Sequence, residues 1–276
     1  MARKWTKEEK KKYKNELHQL YVVENLSMYE IAKKLSIAAP TVHKRLKRLH
    51  FPSLRHLKKG YNNSSRKVIL PDGYNTDLAE FFGIMFGDGH VSLTQIIVTL
   101  GTKESDYVNH VSNVMQKVFQ TTPSVFTRST DDRDNKYRNV YFGSVIVARW
   151  LLKEGMVHDK VKEQVDIPSW IFLKTEFMKA FVRGFFDTDG SIYKLKFGIQ
   201  ISFTNYSNPL LESLHTMLIK LGYTPSRISV NKIYITRVKD VVRFFKEIIP
   251  KNSKHQRRFL DFIKCAGTQA VYEDRL

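Results

Sequence analysis

The chain holds a single cysteine, Cys265, in 276 residues, so no intrachain disulfide can form, and no Cys/His grouping has zinc spacing. A reducing compartment is the default for such a sequence. No run of about 18 apolar residues exists, which excludes a membrane-spanning helix. The opening MARKWTKEEKKK is too polar and too acidic for a signal or transit peptide, so a cytoplasmic, genome-associated location is expected. Acidic side chains are scarce too, 27 against 46 Lys and Arg, leaving a net charge of +19. Such an excess points to a polyanionic partner held by phosphate neutralisation and counterion release, and away from a membrane. What is present suffices for a sizeable core: 42% of residues are hydrophobic and 12% aromatic. That excludes a disordered chain and a cross-linked mini-scaffold, and the length fits one large domain or two modest ones.

The charge is uneven. Residues 1–67 carry 18 basic and 5 acidic side chains, whereas the remainder carries 28 and 22. A small, strongly basic module therefore precedes a larger, nearly balanced one. Within the first, residues 6–25 read as an amphipathic helix with Trp5, Tyr13, Leu17, Leu20 and Tyr21 on its apolar side. Ser27 followed by Glu30 is a capping box that starts a second helix, whose inner face is Ile31, Ala32 and Leu35. A short turn leads to Pro40 at a third helix, with Val42, Leu46 and Leu49 inward and His43, Lys44, Arg45, Lys47 and Arg48 on the polar face. This pattern resembles a helix-turn-helix over residues 1–52, whose second helix would enter a major groove. A three-helix bundle with a solvated basic face fits the same residues. Residues 53–70 read as a basic linker, either a plain tether or a segment lying along nucleic acid.

Beyond residue 70 the chain repeats itself at a spacing of about 100 residues. One copy opens LAEFFGIMFGDGH (78–90) and the other AFVRGFFDTDGS (180–191), aligning Asp88 with Asp189, Gly83 with Gly184 and Gly87 with Thr188. Alternating stretches and further helices follow each opening, so each copy reads αββαββα, over 71–170 and 171–276, in an α+β fold. Small residues recur every fourth position on the opening helices: Ala79, Gly83 and Gly87, then Ala180, Gly184 and Thr188. Glycine inside a helix costs up to ~1 kcal/mol against alanine, so a structural return is expected. Stripes of this kind let two backbones approach closely. Each helix then ends in Asp and Gly, the glycine reading as an ordinary C-cap. The aspartate opposes the helix macrodipole. Two such carboxylates brought together need positive charge between them, which divalent ions with hard oxygen ligands supply.

These paired openings and their matching downstream strands resemble the LAGLIDADG homing endonucleases in their single-chain, double-motif form, over roughly residues 74–264. The resemblance implies two pseudo-symmetric halves joined through the motif helices, with two antiparallel sheets forming a saddle over double-stranded DNA. It implies a monomer that uses Mg2+, with Mn2+ or Ca2+ able to substitute in binding, and cuts both strands across a minor groove. The metal role falls to Asp88 and Asp189, flanked by Gly87 and Thr188. Phe86 departs from the motif's first acidic position, which Asp187 occupies in the second copy without a metal assignment. The polar residues expected near the metals after the first hairpin are Thr102–Lys103 and Asn205–Tyr206, with Lys103 as an electrostatic stabiliser. Lys160 or Lys162 in the first half and Lys254 in the second are the candidate catalytic lysines, a solvated surface role being the alternative for each.

Strand side chains in the major groove would read sequence, since alternation turns every second residue towards the bases. The candidates are Ser92 and Thr94, Lys136 and Arg138, Lys194 and Lys196, Asn205, and Arg227 and Ser229; solvent-facing polar positions fit the same pattern. A DNA-binding regulator that has lost catalysis and an intron RNA maturase are the rival readings on this fold. An intein is disfavoured by the Met1-Ala2 start and Asp274-Arg275-Leu276 end, and a PD-(D/E)xK nuclease by the distance from Pro71-Asp72 to Asp134-Asn135-Lys136.

Overall fold

The structure is a computed structural model that describes residues 6–24, 26–51, 68–130, 133–196 and 198–265. Trp5 and most of the linker, residues 53–67, lie outside the described residues. The chain divides into two compact units, residues 1–61 and 62–276.

In the first unit, α1 (Lys7–Leu17) runs into a π-helical turn (His18–Val23), so the helix expected over 6–25 changes geometry at His18. Helix α2 (Met28–Lys34) starts where Ser27 and Glu30 satisfy each other's backbone amides, at 3.3 and 2.6 Å. After four intervening residues α3 (Ala39–Arg48) begins, with Pro40 in its first turn, where a missing amide hydrogen costs nothing. Leu17, Leu20, Tyr21, Ile31, Ala32, Val42, Leu46 and Leu49 close one small core between these helices.

The second unit opens with α4 (Thr76–Phe86), capped by the Asn75 side chain on the Leu78 amide at 2.8 Å. Then follow β1 (Gly89–Val91), β2 (Gln95–Gly101), α5 (Ser105–Phe119), β3 (Ser124–Thr130), β4 (Arg133–Gly143) and α6 (Val145–Lys153). After a 3-10 turn (Ser169–Leu173), the second half runs α7 (Thr175–Asp189), β5 (Gly190–Leu195), β6 (Gly198–Thr204), α8 (Asn208–Lys220), β7 (Lys232–Ile235), α9 (Val238–Glu247) and α10 (Ser253–Cys265). The sheets are antiparallel, ordered β1-β2-β4-β3 and β5-β6-β7. The fold is α+β, with helices and strands segregated along the chain.

The halves differ in one element. The αββαββα pattern calls for a strand between α8 and β7, yet the stretch Ser226–Val230 forms only an isolated Ser229–Lys232 bridge. Instead the Ser226 hydroxyl accepts from the Tyr234 amide at 3.0 Å, while Val230 and Asn231 turn the chain in left-handed geometry. A side chain has taken a position that a ladder carbonyl would fill.

Helices α4 and α7 pack backbone to backbone at the centre. A Cβ added at Gly83 would stand 2.8 Å from the Phe185 amide nitrogen and closer still to the Phe181 carbonyl oxygen. One at Gly184 would stand 2.9 Å from the Ile84 amide nitrogen and closer still to the Glu80 carbonyl oxygen. Around this crossing lie Phe81, Phe82, Phe86, Phe181, Phe185 and Phe186, all fully buried, in one core shared by both halves. Glu80 of α4 takes Arg183 of α7 at 2.9 Å and His110 of α5 at 2.6 Å. Although burial pushes the Glu80 carboxyl up, those partners together hold it below its ordinary range.

Candidate active site

The crossing of α4 and α7 brings their C-terminal ends to one place. Gly87 abuts the Thr188 side chain, and a Cβ there would stand 3.5 Å from the Asp189 carboxyl carbon. Asp88 follows Gly87 directly. Neither Gly89 nor Gly190 is the left-handed C-cap expected of an Asp-Gly helix end: Gly190 is extended at φ −87°, and Gly89 already begins β1. Their need for glycine is different. A side chain at either would strike its own helix's last turn, at Met85 or Phe186, where the chain doubles back into a strand.

Solvent reaches Asp88, yet protein crowds its carboxyl closely. Desolvation, and after it the charge of Asp189, pushes it up to about 6 against the pull of Lys160 and Lys254. Burial raises Asp189 as well, opposed by Lys160 and by an Asn205 amide that donates to its Oδ2 at 2.9 Å. Lys160 serves both carboxylates. Its ammonium donates to the carbonyls of Met85 and Phe86, each at 3.1 Å, and to that of Gly87. It thereby caps the free carbonyls of α4 and sets positive charge at the negative end of that helix. A cleft of about 450 Å3 opens here, lined by Gly87, Lys160, Thr188, Asp189, Asn205 and Lys254 among others.

Lys254 reaches this cleft from α10, bonded to Glu104 at 2.9 Å. The turn before α10 is fixed by Asp187, whose buried carboxylate accepts from the amides of Lys251 at 2.7 Å and Asn252 at 3.1 Å. Burial, outweighing those two bonds, pushes Asp187 up to about 7. Lys162 lies apart, 83% exposed and paired with Asp159, so of the two first-half lysines only Lys160 meets the carboxylates. Lys103 is exposed on the turn after β2 and does not line the cleft.

The strands also correct the equivalence expected between the two turns. Gly89 pairs with Val98 and Gly190 with Phe203, so Asn205 corresponds in register to buried Leu100, not to Thr102 or Lys103. Asp189 has an amide partner that Asp88 lacks at that position. The neighbouring acid on the Asp88 side is Glu104, which the sequence reading passed over. Glu104 accepts from Lys254, Asn252 and the Gly101 amide, and these bonds outweigh burial and lower its carboxyl. A glutamate at a helix start reads as a solvated cap, and only the fold brings Asn252 to it.

The expected base-reading residues lie otherwise than alternation suggests. Ser92 and Thr94 sit in the β1–β2 turn, where the Ser92 hydroxyl accepts from the amides of Thr94 and Gln95. Lys136 and Arg138 share the parity of buried Val140 and Phe142, and Arg138 turns to Ser105 of α5 at 3.2 Å. The open face of that sheet instead carries Thr99, Tyr137 and Tyr141, with Thr99 bonded to the buried Asn139 at 2.9 Å. Lys194 shares the parity of buried Ile192, and Lys196 lies in the turn beyond β5. The open face of the second sheet carries Ser191, Tyr193, Gln200 and Tyr234. Arg227 and Ser229 are exposed in the irregular stretch before β7. On α3, His43, Lys44, Lys47 and Arg48 are exposed, whereas Arg45 stacks over the Tyr13 ring at 4.4 Å.

Two carboxylates with hard oxygens, each raised by burial and one by the other, form a donor set that suits a divalent cation. Of the flanking positions, Gly87 has its carbonyl on Lys160, and the Thr188 hydroxyl donates back to the carbonyls of Gly184 and Phe185 at 3.0 Å. Among the described residues no cluster of three His, Cys, Asp or Glu side chains could hold a metal, and no helix is long and apolar enough to cross a membrane.

The chain is 27% identical over 211 residues to the replication factor C small subunit of Methanocaldococcus jannaschii, covering 75% of this chain and 10% of that protein. It thus spans a tenth of that relative's length. Among solved structures it is similar to variants of the homing endonuclease I-DmoI, at 15% identity and a TM-score of 0.46, covering 63% of this chain and 94% of that one. It is also similar to the N-terminal LAGLIDADG domain of WhiA, at 16% identity and a TM-score of 0.45, covering 64% and 83%. The family model described as a LAGLIDADG-like domain matches residues 176–249, from the second residue of α7 to the end of α9 and just beyond.

Proposed function

We propose that the chain is a metal-dependent endonuclease that hydrolyses phosphodiesters in both strands of duplex DNA. One observation carries this reading: two carboxylates, one at or just past the end of each centrally packed helix, feel the charge of one lysine, Lys160, beside an open cleft that Asp189 and Lys160 line. Asp88 and Asp189 would hold Mg2+ or a similar ion, which when bound polarises the phosphodiester and acidifies a water molecule. Asn205 orients the Asp189 carboxylate, leaving its second oxygen for other partners. Lys160 and Lys254 supply positive charge where negative charge develops on a phosphate. The open sheet faces offer polar and aromatic side chains to a groove, and the net charge of +19 suits the backbone. The basic face of α3 adds a second DNA contact, so removing residues 1–67 is expected to weaken binding or shorten the recognised site without ending cleavage.

A second reading is favoured by Lys160 itself. Its ammonium already stands where a cation would offset the carboxylates, an arrangement suited to a protein that binds DNA without cutting it. Incubation with Mg2+ and a randomised pool of duplexes separates the two. Double-strand cuts that fall at least about 100-fold in Asp88→Asn and Asp189→Asn support the nuclease, in line with loss of a group that acts in the transition state. Binding without cuts supports the second reading, and preference for structured RNA over duplex DNA overturns both.

A further inference from the structure

The rim of the cleft carries two apolar side chains among its polar ones. Tyr206 is 64% exposed and Val161 49% exposed, and both line the same opening as Asp189, Asn205 and Lys160. They come from different halves and are tied together. The Gln164 side-chain amide donates to the Val161 carbonyl at 2.6 Å and to the Tyr206 carbonyl at 3.2 Å, while its oxygen accepts from the Asn208 amide at 3.0 Å. Gln164 adopts a left-handed backbone, φ 48°, to make this clamp. The Ser207 hydroxyl adds a buried bond to the Val165 carbonyl at 2.5 Å. Two exposed apolar residues on a wet rim would ordinarily be left to move; here the loops beneath them are pinned by four hydrogen bonds. The strand register puts Gly101 opposite Tyr206 in the repeat, so the feature exists on the Asp189 side alone.

We propose that Tyr206, backed by Val161, is a stacking contact that partly opens one base step of the duplex beside Asp189. An aromatic ring carried on a pinned loop, at a cleft that Lys160 and Lys254 also line, matches a nucleic acid, whose phosphates meet the ammonium groups while a base or sugar face meets the ring. Apolar side chains used in this way unstack a step and kink the duplex, and pyrimidine–purine steps yield most readily. Target preference therefore includes a deformable step at one position that no side chain reads by hydrogen bonding, on one side of the centre only. The inference rests on the proposed binding of duplex DNA at this cleft.

The test uses a duplex recovered by the full-length chain from a randomised pool, with 2-aminopurine placed singly through its central positions and binding measured in EDTA. Anisotropy of an end label reports occupancy, and 2-aminopurine emission reports unstacking. The expected result is a several-fold rise in emission at one position, retained in Tyr206→Phe and lost in Tyr206→Ala at matched occupancy. Enrichment of a pyrimidine–purine step there should vanish when the selection is repeated with Tyr206→Ala. Occupancy without any emission change, or an equal rise in Tyr206→Ala, overturns the stacking contact and leaves the endonuclease reading standing. No occupancy by any duplex overturns both.

Discussion

Lys254 of α10 donates to Oε1 of Glu104 at 2.9 Å, joining the last helix of the second half to the turn after β2 in the first. The bond is one edge of a closed polar circuit. Asn252 donates to Glu104 and to the Asp187 carbonyl, accepts from the Lys254 amide, and gives its own amide to the Asp187 carboxylate. Asp187, Asn252 and Glu104 are thus positioning residues for Lys254, and the acidic residue that Phe86 replaces in the first motif is put to structural use in the second.

Replacing Asn252 with alanine leaves buried donors and acceptors of this circuit unpaired. The expected loss is about 1–3 kcal/mol in urea denaturation. Because the turn that presents Lys254 is loosened, cleavage should slow at full DNA occupancy, and Glu104→Gln, which weakens the hold on the Lys254 ammonium, should slow it as well. Unchanged stability in Asn252→Ala would count against the circuit.

At Gly83 and Gly184 the sign of an alanine substitution is diagnostic. An exposed helical glycine gains up to ~1 kcal/mol on becoming alanine. Here a Cβ would meet backbone atoms of the opposing helix, Phe185 in one case and Ile84 in the other, which cannot rotate away. Each variant should instead lose roughly 1–3 kcal/mol through overpacking, measured by denaturant unfolding. Alanine at solvent-facing Gly73, where nothing lies within 4 Å, is the control and should show no such loss.

The sequence makes the repeat and its two carboxylate-bearing helices legible because helix periodicity and the small-residue stripes are local properties. Facing residues on β4 are not. In the run Lys136-Tyr137-Arg138-Asn139-Val140-Tyr141-Phe142, polar and apolar residues fall on both parities, so alternation cannot say which face is covered. The helices choose, and they bury Val140 and Phe142 with Arg138 alongside. Ser226 hides a strand's absence in the same way, by substituting a hydroxyl for a ladder group. Glu104 and Gln164 acquire partners about 148 and 44 residues away, which no local pattern records.

The titration of Asp88 gives a pH test with a definite sign. Its folded value, about 6, lies above the ordinary 3.8, so its contribution to stability is fully present below about 4 and lost as pH rises through 6. Asp187, pushed to about 7, acts in the same direction. In EDTA, Asp88→Asn should therefore gain melting temperature relative to the parent at pH 7.5, and much less at pH 4.5, compared by thermal unfolding of the two proteins. Equal differences at both values would show that Asp88 is not held protonated by its surroundings.

Lys160 decides between an ion and an ammonium as the charge that the carboxylates meet. Lys160→Met removes the donor to the carbonyls of Met85, Phe86 and Gly87, and leaves Asp88 and Asp189 without their shared cation. The metal-free variant should unfold at lower temperature, since a half-buried lysine that holds three carbonyls is more costly to delete than a surface one. If the pair binds a divalent ion, saturating Mg2+ should restore more melting temperature to this variant than to the parent, because no ammonium competes and the Gly87 carbonyl is freed. Should Mg2+ shift neither protein, the lysine is the resident charge, and the metal-dependent endonuclease reading falls.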